Sequence, residues 1–258
     1  MTSFGAVFKV MSKDRFRTAT KVIGAEVAVI VVSILWSWVT GNLTGGAFFG
    51  LTASWSMPAM LAAFIFLAVA NEHVYTRDTY RLIPVGETKL YSANLLSSFV
   101  MYLYVGVVQL VLYLVTITID SDALKGILAG MKAGMESPNF SNADAAKIVF
   151  GLLLMSCALI LMSWTTISLV HLVVSSTNNF LPNVSRRAVN VVLYVIVIYL
   201  VVRVAAFLIS KFNSLDSMMS AGTQVQFGMN IVGILVIAAI EIVANIFLLK
   251  KWVETIPN

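Results

Sequence analysis

Cysteine is nearly missing from this chain of 258 residues. Cys157 stands alone, so neither an intramolecular disulfide framework nor a multi-cysteine metal site can form. Histidine is almost as scarce, with only His73 and His171, which argues against a histidine-built metal centre. Charge is the largest deficit. Asp, Glu, Lys and Arg make up 11% of the residues, against about 25% in soluble domains. A soluble domain of this length covers its surface with far more charge, so the composition excludes an ordinary soluble protein. Catalytic signatures are missing too. Gly45 and Gly50 have the glycine spacing of a phosphate-cradling loop, but Leu51-Thr52 follows where lysine and a hydroxyl residue are required. There is no His-Glu-x-x-His and no Gly-x-Ser-x-Gly. The chain is therefore expected to be no enzyme and to carry no cofactor or metal of its own.

What is present is apolar. Hydrophobic residues make up 59% of the chain, and a run of about 20 crosses the roughly 30 Å hydrocarbon core of a bilayer. Six runs qualify, at about 22–40, 50–71, 92–117, 147–174, 188–209 and 229–249. The expected fold class is an all-α integral membrane protein with six transmembrane helices in one domain over 1–258. The first run has no small-x-small cleavage site behind it and reads as a retained helix.

Lys and Arg set the expected orientation. One set of connections holds Lys9, Lys13, Arg15, Arg17 and Lys21, then Arg77, Arg81 and Lys89, then Arg186 and Arg187, then Lys250 and Lys251; the other set holds Lys125, Lys132, Lys147 and Lys211. The bias puts both termini in the cytoplasm and suits the cell membrane. The basic residues are scattered over short segments with no aromatic-interleaved patch, which argues against nucleic acid as a partner.

Two connections promise structure. Phe4, Phe8 and Met11 recur at helical spacing among Lys9, Lys13, Arg15 and Arg17, the pattern of an amphipathic elbow helix over 3–17 lying on the inner membrane surface; a frayed basic tail is the alternative. In the outer connection 118–146, Asp120-Ser121-Asp122 offers capping groups, and Leu124, Ile127, Leu128, Met131 and Met135 follow as one apolar stripe, which predicts a short helix.

The connection after the second span reads Asn71-Glu72-His73-Val74-Tyr75-Thr76-Arg77-Asp78-Thr79-Tyr80-Arg81-Leu82-Ile83-Pro84-Val85. A polar turn, a helix-compatible stretch and a proline step lead into the third span. This resembles the coupling segment of type-2 ABC transporter permeases. Glu72 matches the acidic residue that closes the second helix there, Asp78-Thr79-Tyr80-Arg81 the short cytoplasmic coupling helix, and Leu82-Ile83-Pro84-Val85 the apolar-proline step. The resemblance implies a permease without its own engine: a second permease subunit and separate ABC ATPase subunits, which bind ATP and Mg, complete an exporter of amphiphilic compounds such as peptide antibiotics, drugs or lipids. Arg77, Asp78, Thr79, Tyr80, Arg81 and Leu82 are the expected ATPase contact. An ordinary solvated loop whose basic residues only set topology is the competing reading.

Ionisable groups inside spans cost about 2.5–3.5 kcal/mol on insertion scales, so each needs a reason. Glu26 and His171 lie near the inner boundary and suit interfacial packing. Glu241 lies deeper, with Asn245 one turn along the same face, and Arg203 sits close enough to a helix end to snorkel. Arg203, Glu241 and Asn245 are candidates for a translocation path or subunit interface. A direct Arg203–Glu241 pair is disfavoured, because the two lie about 10 Å apart in height. Serving a stand-alone channel or an ion-coupled secondary transporter, the same residues define the alternative function. Ser156, Ser163, Thr165, Thr166 and Ser168 are expected to hydrogen-bond between helices.

Overall fold

The computed structural model describes residues 2–42, 46–76, 84–119, 125–126, 129–130, 142–178, 191–199, 202–203, 206 and 223–251, with the side chains of 76, 142–145, 148, 177–178 and 223–227 left aside. Among these residues the chain is all helical: α1 Phe4–Val39, α2 Ala47–Thr76, α3 Glu87–Ile119, α4 Asn142–Asn178, α5 over 191–199 and α6 Thr223–Lys251. α1, α2, α3, α4 and α6 are each long and apolar enough to cross a membrane, the architecture of a multi-pass membrane protein. Of the expected span 188–209, the described residues 191–199, 202–203 and 206 are helical. Large apolar side chains stay exposed along the long helices, Val32, Leu61, Val107, Leu152 and Val243 among them, as hydrocarbon rather than water would favour. Trp36 and Trp38 are exposed near the end of α1, the side-chain type that sits at membrane boundaries.

Local chemistry sets the helix ends. Ser3 caps α1, its hydroxyl accepting from the Ala6 N–H at 3.3 Å. At the other end Gly41 takes φ +71°, which a side chain would resist. There its N–H reaches the Trp38 carbonyl at 3.1 Å while the Asn42 N–H reaches the Ser37 carbonyl at 2.9 Å, the double bond of a Schellman closure. α3 starts on the Gly86 carbonyl, which accepts from Lys89 and Leu90 at 2.9 and 3.0 Å, with Glu87 at the positive end of the helix dipole.

The chain divides into two compact units. The first comprises Met1–Pro84 and Ser92–Ala146, the second Val85–Tyr91 and Lys147–Asn258. In the first unit α1, α2 and α3 run alternately up, down and up. Asn71 and Ser56 of α2 bond to Ser98 and Tyr113 of α3, fifteen residues further along one helix and fifteen residues back along the other. Arg15 and Glu26 of α1 meet Asn94 and Gln109 of α3 in ascending order. The Thr2 N–H donates to the Pro84 carbonyl at 3.3 Å, so the start of α1 and the end of the 77–83 connection share one end of this unit.

The expected elbow over 3–17 is not a separate element. α1 continues unbroken from Phe4, and its buried line is Val7, Met11, Arg15 and Ala19, while Phe4, Lys9, Lys13 and Arg17 stay exposed. The reason is Arg15, whose polar partners on α2 and α3 draw this segment onto its own bundle. The expected short helix in 118–146 lies mostly outside the described residues; 125–126 and 129–130 are helical.

Candidate functional site

Two clusters of buried polar side chains, one in each unit, and a groove in the first unit are where this apolar chain concentrates its chemistry. The first cluster is built on Arg15, which is 3% exposed. Its guanidinium donates to Ser97 Oγ and Asn94 Oδ1 on α3 and to Asn71 Oδ1 on α2 at 3.3 Å. Ser98 Oγ donates to the same Asn71 oxygen at 2.6 Å, and Asn94 Nδ2 donates to the Asn71 carbonyl at 3.1 Å. Ser97, Asn94, Asn71 and Ser98 are all buried. A fork of donors on a planar cation suits such a three-helix tie, because one group can serve several acceptors at once. The tie lies five residues before the end of α2 and seven after the start of α3, next to the 77–83 connection.

Eleven residues along the same face of α1 lies Glu26, 5% exposed. Its Oε2 accepts from Gln109 Nε2 at 2.5 Å, while Glu26 Oε1 and Gln109 Oε1 have no hydrogen-bond partner among the described residues. Glu26 also lines a groove of about 500 Å³ between α1 and α2. The expectation of interfacial packing for Glu26 thus gives way to a specific helix–helix bond beside a cavity. Pro58 in the groove wall has no N–H to offer the carbonyl of Ser54, four residues earlier.

The second cluster joins α4 to α6. Glu241, 6% exposed, accepts from Thr165 Oγ1 at 2.6 Å on Oε2 and from Thr166 Oγ1 at 2.8 Å on Oε1. One turn on, Asn245 is fully buried and its Nδ2 donates to the Thr165 carbonyl and the Tyr91 hydroxyl, both at 2.9 Å. Two adjacent threonines therefore hold the carboxylate while their own helix holds the amide. His171 Nδ1 lies 3.2 Å from the Tyr194 hydroxyl, and Val170 and Val174 pack on Val197, which seats α5 on α4.

Of the residues expected from the sequence, Glu241 and Asn245 come together in one cluster. Arg203 does not join them: it is exposed, and its guanidinium carbon stands 5.9 Å from the ring centre of Tyr199, four positions earlier. Arg77, Asp78, Thr79, Tyr80, Arg81 and Leu82 lie outside the described residues. Thr165 and Thr166 make the expected interhelical bonds, whereas Ser156 and Ser163 donate back to the Leu152 and Leu159 carbonyls of their own helix.

Sequence reasoning passed over Arg15 as a buried group, and with it Asn71, Asn94 and Gln109. The signal was there in part, since Arg15 is four residues from both Met11 and Ala19, in phase with the small and apolar positions, while Lys9 and Lys13 are out of phase. Compared with protein-family models, curated proteins and solved structures, the chain matches none. Among the described residues no group of three or more His, Cys, Asp or Glu side chains is placed to hold a metal.

Proposed function

We propose that the chain is the membrane permease subunit of an ATP-driven ABC exporter, pairing with a second permease subunit and with separate ATPase subunits to move an amphiphilic substrate. In this reading both termini are cytoplasmic, the membrane is the cell membrane, and residues 77–82 form the coupling helix. Tyr80 and Leu82 supply its buried area, and Arg77, Asp78 and Arg81 its orientation.

The observation that carries the reading is the Arg15 tie beside that segment. A coupling helix works only if a push on it reaches the spans as a body, and a bare hairpin would absorb the push by bending. Here α1, α2 and α3 are bound to one another by Arg15 within about 11 Å of where the segment leaves and re-enters the bundle. The shared end of Thr2 and Pro84 agrees with an N-terminus and a coupling segment on one side.

Reversing Arg77 and Arg81 together to glutamate is expected to abolish co-purification with the partner ATPase and to abolish transport. Unchanged co-purification and transport would overturn the proposal. Transport by the purified chain with no ATPase present would favour the stand-alone channel or ion-coupled transporter instead.

A further inference from the structure

The groove between α1 and α2 carries more than an apolar crevice needs. Its walls are stripes at helical spacing, Trp55, Ala59, Ala62 and Phe66 on α2 facing the 18–29 stretch of α1, so it runs about 16 Å along the helices. About 500 Å³ lies within the range of small-molecule sites, which are mostly apolar with a few placed polar groups. The placed group here is Glu26.

Around that carboxylate the hydrogen-bonding ledger is unbalanced. Glu26 and Gln109 together present three acceptor oxygens, and one N–H serves Oε2; Glu26 Oε1 and Gln109 Oε1 are buried with no donor among the described residues. With the carboxyl ionised, turning the Gln109 amide over would set oxygen against oxygen. Gln109 does not line the groove, so Glu26 is the acceptor that a ligand there meets, and a buried acid inside an apolar segment is costly unless a donor or a positive charge meets it. Trp55 is held in place by its own bond, Nε1 donating to Ser33 Oγ at 3.0 Å. Its ring and that of Phe66 add broad apolar wall to the groove.

We propose that this groove binds an amphiphile carrying one ammonium group, the N–H groups meeting Glu26 and the apolar body lying along Trp55, Ala59, Ala62 and Phe66. Lys21, exposed in the same groove, disfavours a second positive charge on the ligand. The site stands independently of ATP coupling, because nothing in it involves residues 77–82.

The test uses the full chain in nanodiscs of uncharged phosphatidylcholine and a dansyl-tagged alkylammonium, with the matching alkyl alcohol as neutral probe. Binding is read as saturable energy transfer from tryptophan. Wild type is expected to bind the ammonium probe at least tenfold more tightly than the alcohol. Glu26→Gln, nearly the same shape, is expected to erase that difference. Ala62→Phe, which fills the groove and keeps the carboxylate, is expected to weaken both probes at least tenfold. Equal binding of the two probes by wild type, undiminished ammonium preference in Glu26→Gln, or undiminished binding by Ala62→Phe would each overturn the proposal. Should Glu26→Gln fail to fold, the probe comparison in wild type and the Ala62→Phe variant still decide it. ATPase co-purification is unaffected by either result.

Discussion

Replacing Arg15 by methionine tests the three-helix tie most directly. Methionine keeps much of the stem and removes the charged fork, so the packing loss is small and the polar loss is isolated. After the change Ser97 Oγ still donates to the Asn94 carbonyl at 2.9 Å and Asn71 Oδ1 still accepts from Ser98, but Asn94 Oδ1 loses its guanidinium donor. A stranded buried acceptor costs about 1–3 kcal/mol, and hydrogen bonds to a charged group contribute about 1.5–3 kcal/mol each. Relief from burying the cation offsets part of that loss, which leaves a net destabilisation of about 2–3 kcal/mol. For a chain of this size that lowers the unfolding midpoint by on the order of 5–10 °C. The assay is thermal unfolding of the purified protein in nanodiscs, with Lys13→Met, an exposed position two residues away, as control within about 0.5 kcal/mol. Arg15→Lys should fall between the two, since a compact ammonium keeps the charge but lacks the planar fork of donors. Adding Asn94→Leu to Arg15→Met should recover part of the loss. An unchanged midpoint for Arg15→Met would refute the tie.

In the second unit, Asn245→Leu is expected to cost about 2 kcal/mol by removing the amide donor that both the Thr165 carbonyl and the Tyr91 hydroxyl accept, read in the same unfolding assay. Glu241→Gln should stay within about 1 kcal/mol, because an amide oxygen still accepts from a threonine. In a background with Cys157 replaced by alanine, single cysteines at Ser3 and Val85 should react with an impermeant maleimide from one side of the membrane and a cysteine at Asn42 from the other. Labelling of Ser3 and Asn42 from the same side would contradict a membrane-crossing α1.

Particular residues show where legibility stops. The deficit of charge and the length of the apolar runs were enough to place five membrane-length helices, since a chain in hydrocarbon must close its backbone bonds within each segment, and that requirement is local. Glu241 and Asn245 were readable as a pair because they are one turn apart on one helix. That Thr165 and Thr166 bond between helices was readable too, but not that Glu241 is the group they meet or that Tyr91 joins Asn245, since those partners lie on other helices with no signal in spacing. Arg15 was misread for the same reason: among Lys9, Lys13 and Arg17 it looks like one more topology charge, and only the approach of Asn71 and Asn94 makes it an interior group. Glu26 likewise gained its role from the gap between α1 and α2. The amino-acid order by itself determined which stretches are helices and which solvent suits them. Tertiary structure alone decided which polar side chains are tied and which acceptors stay unmet, because that depends on distances between residues 22 to 154 positions apart, which no periodicity within a helix encodes.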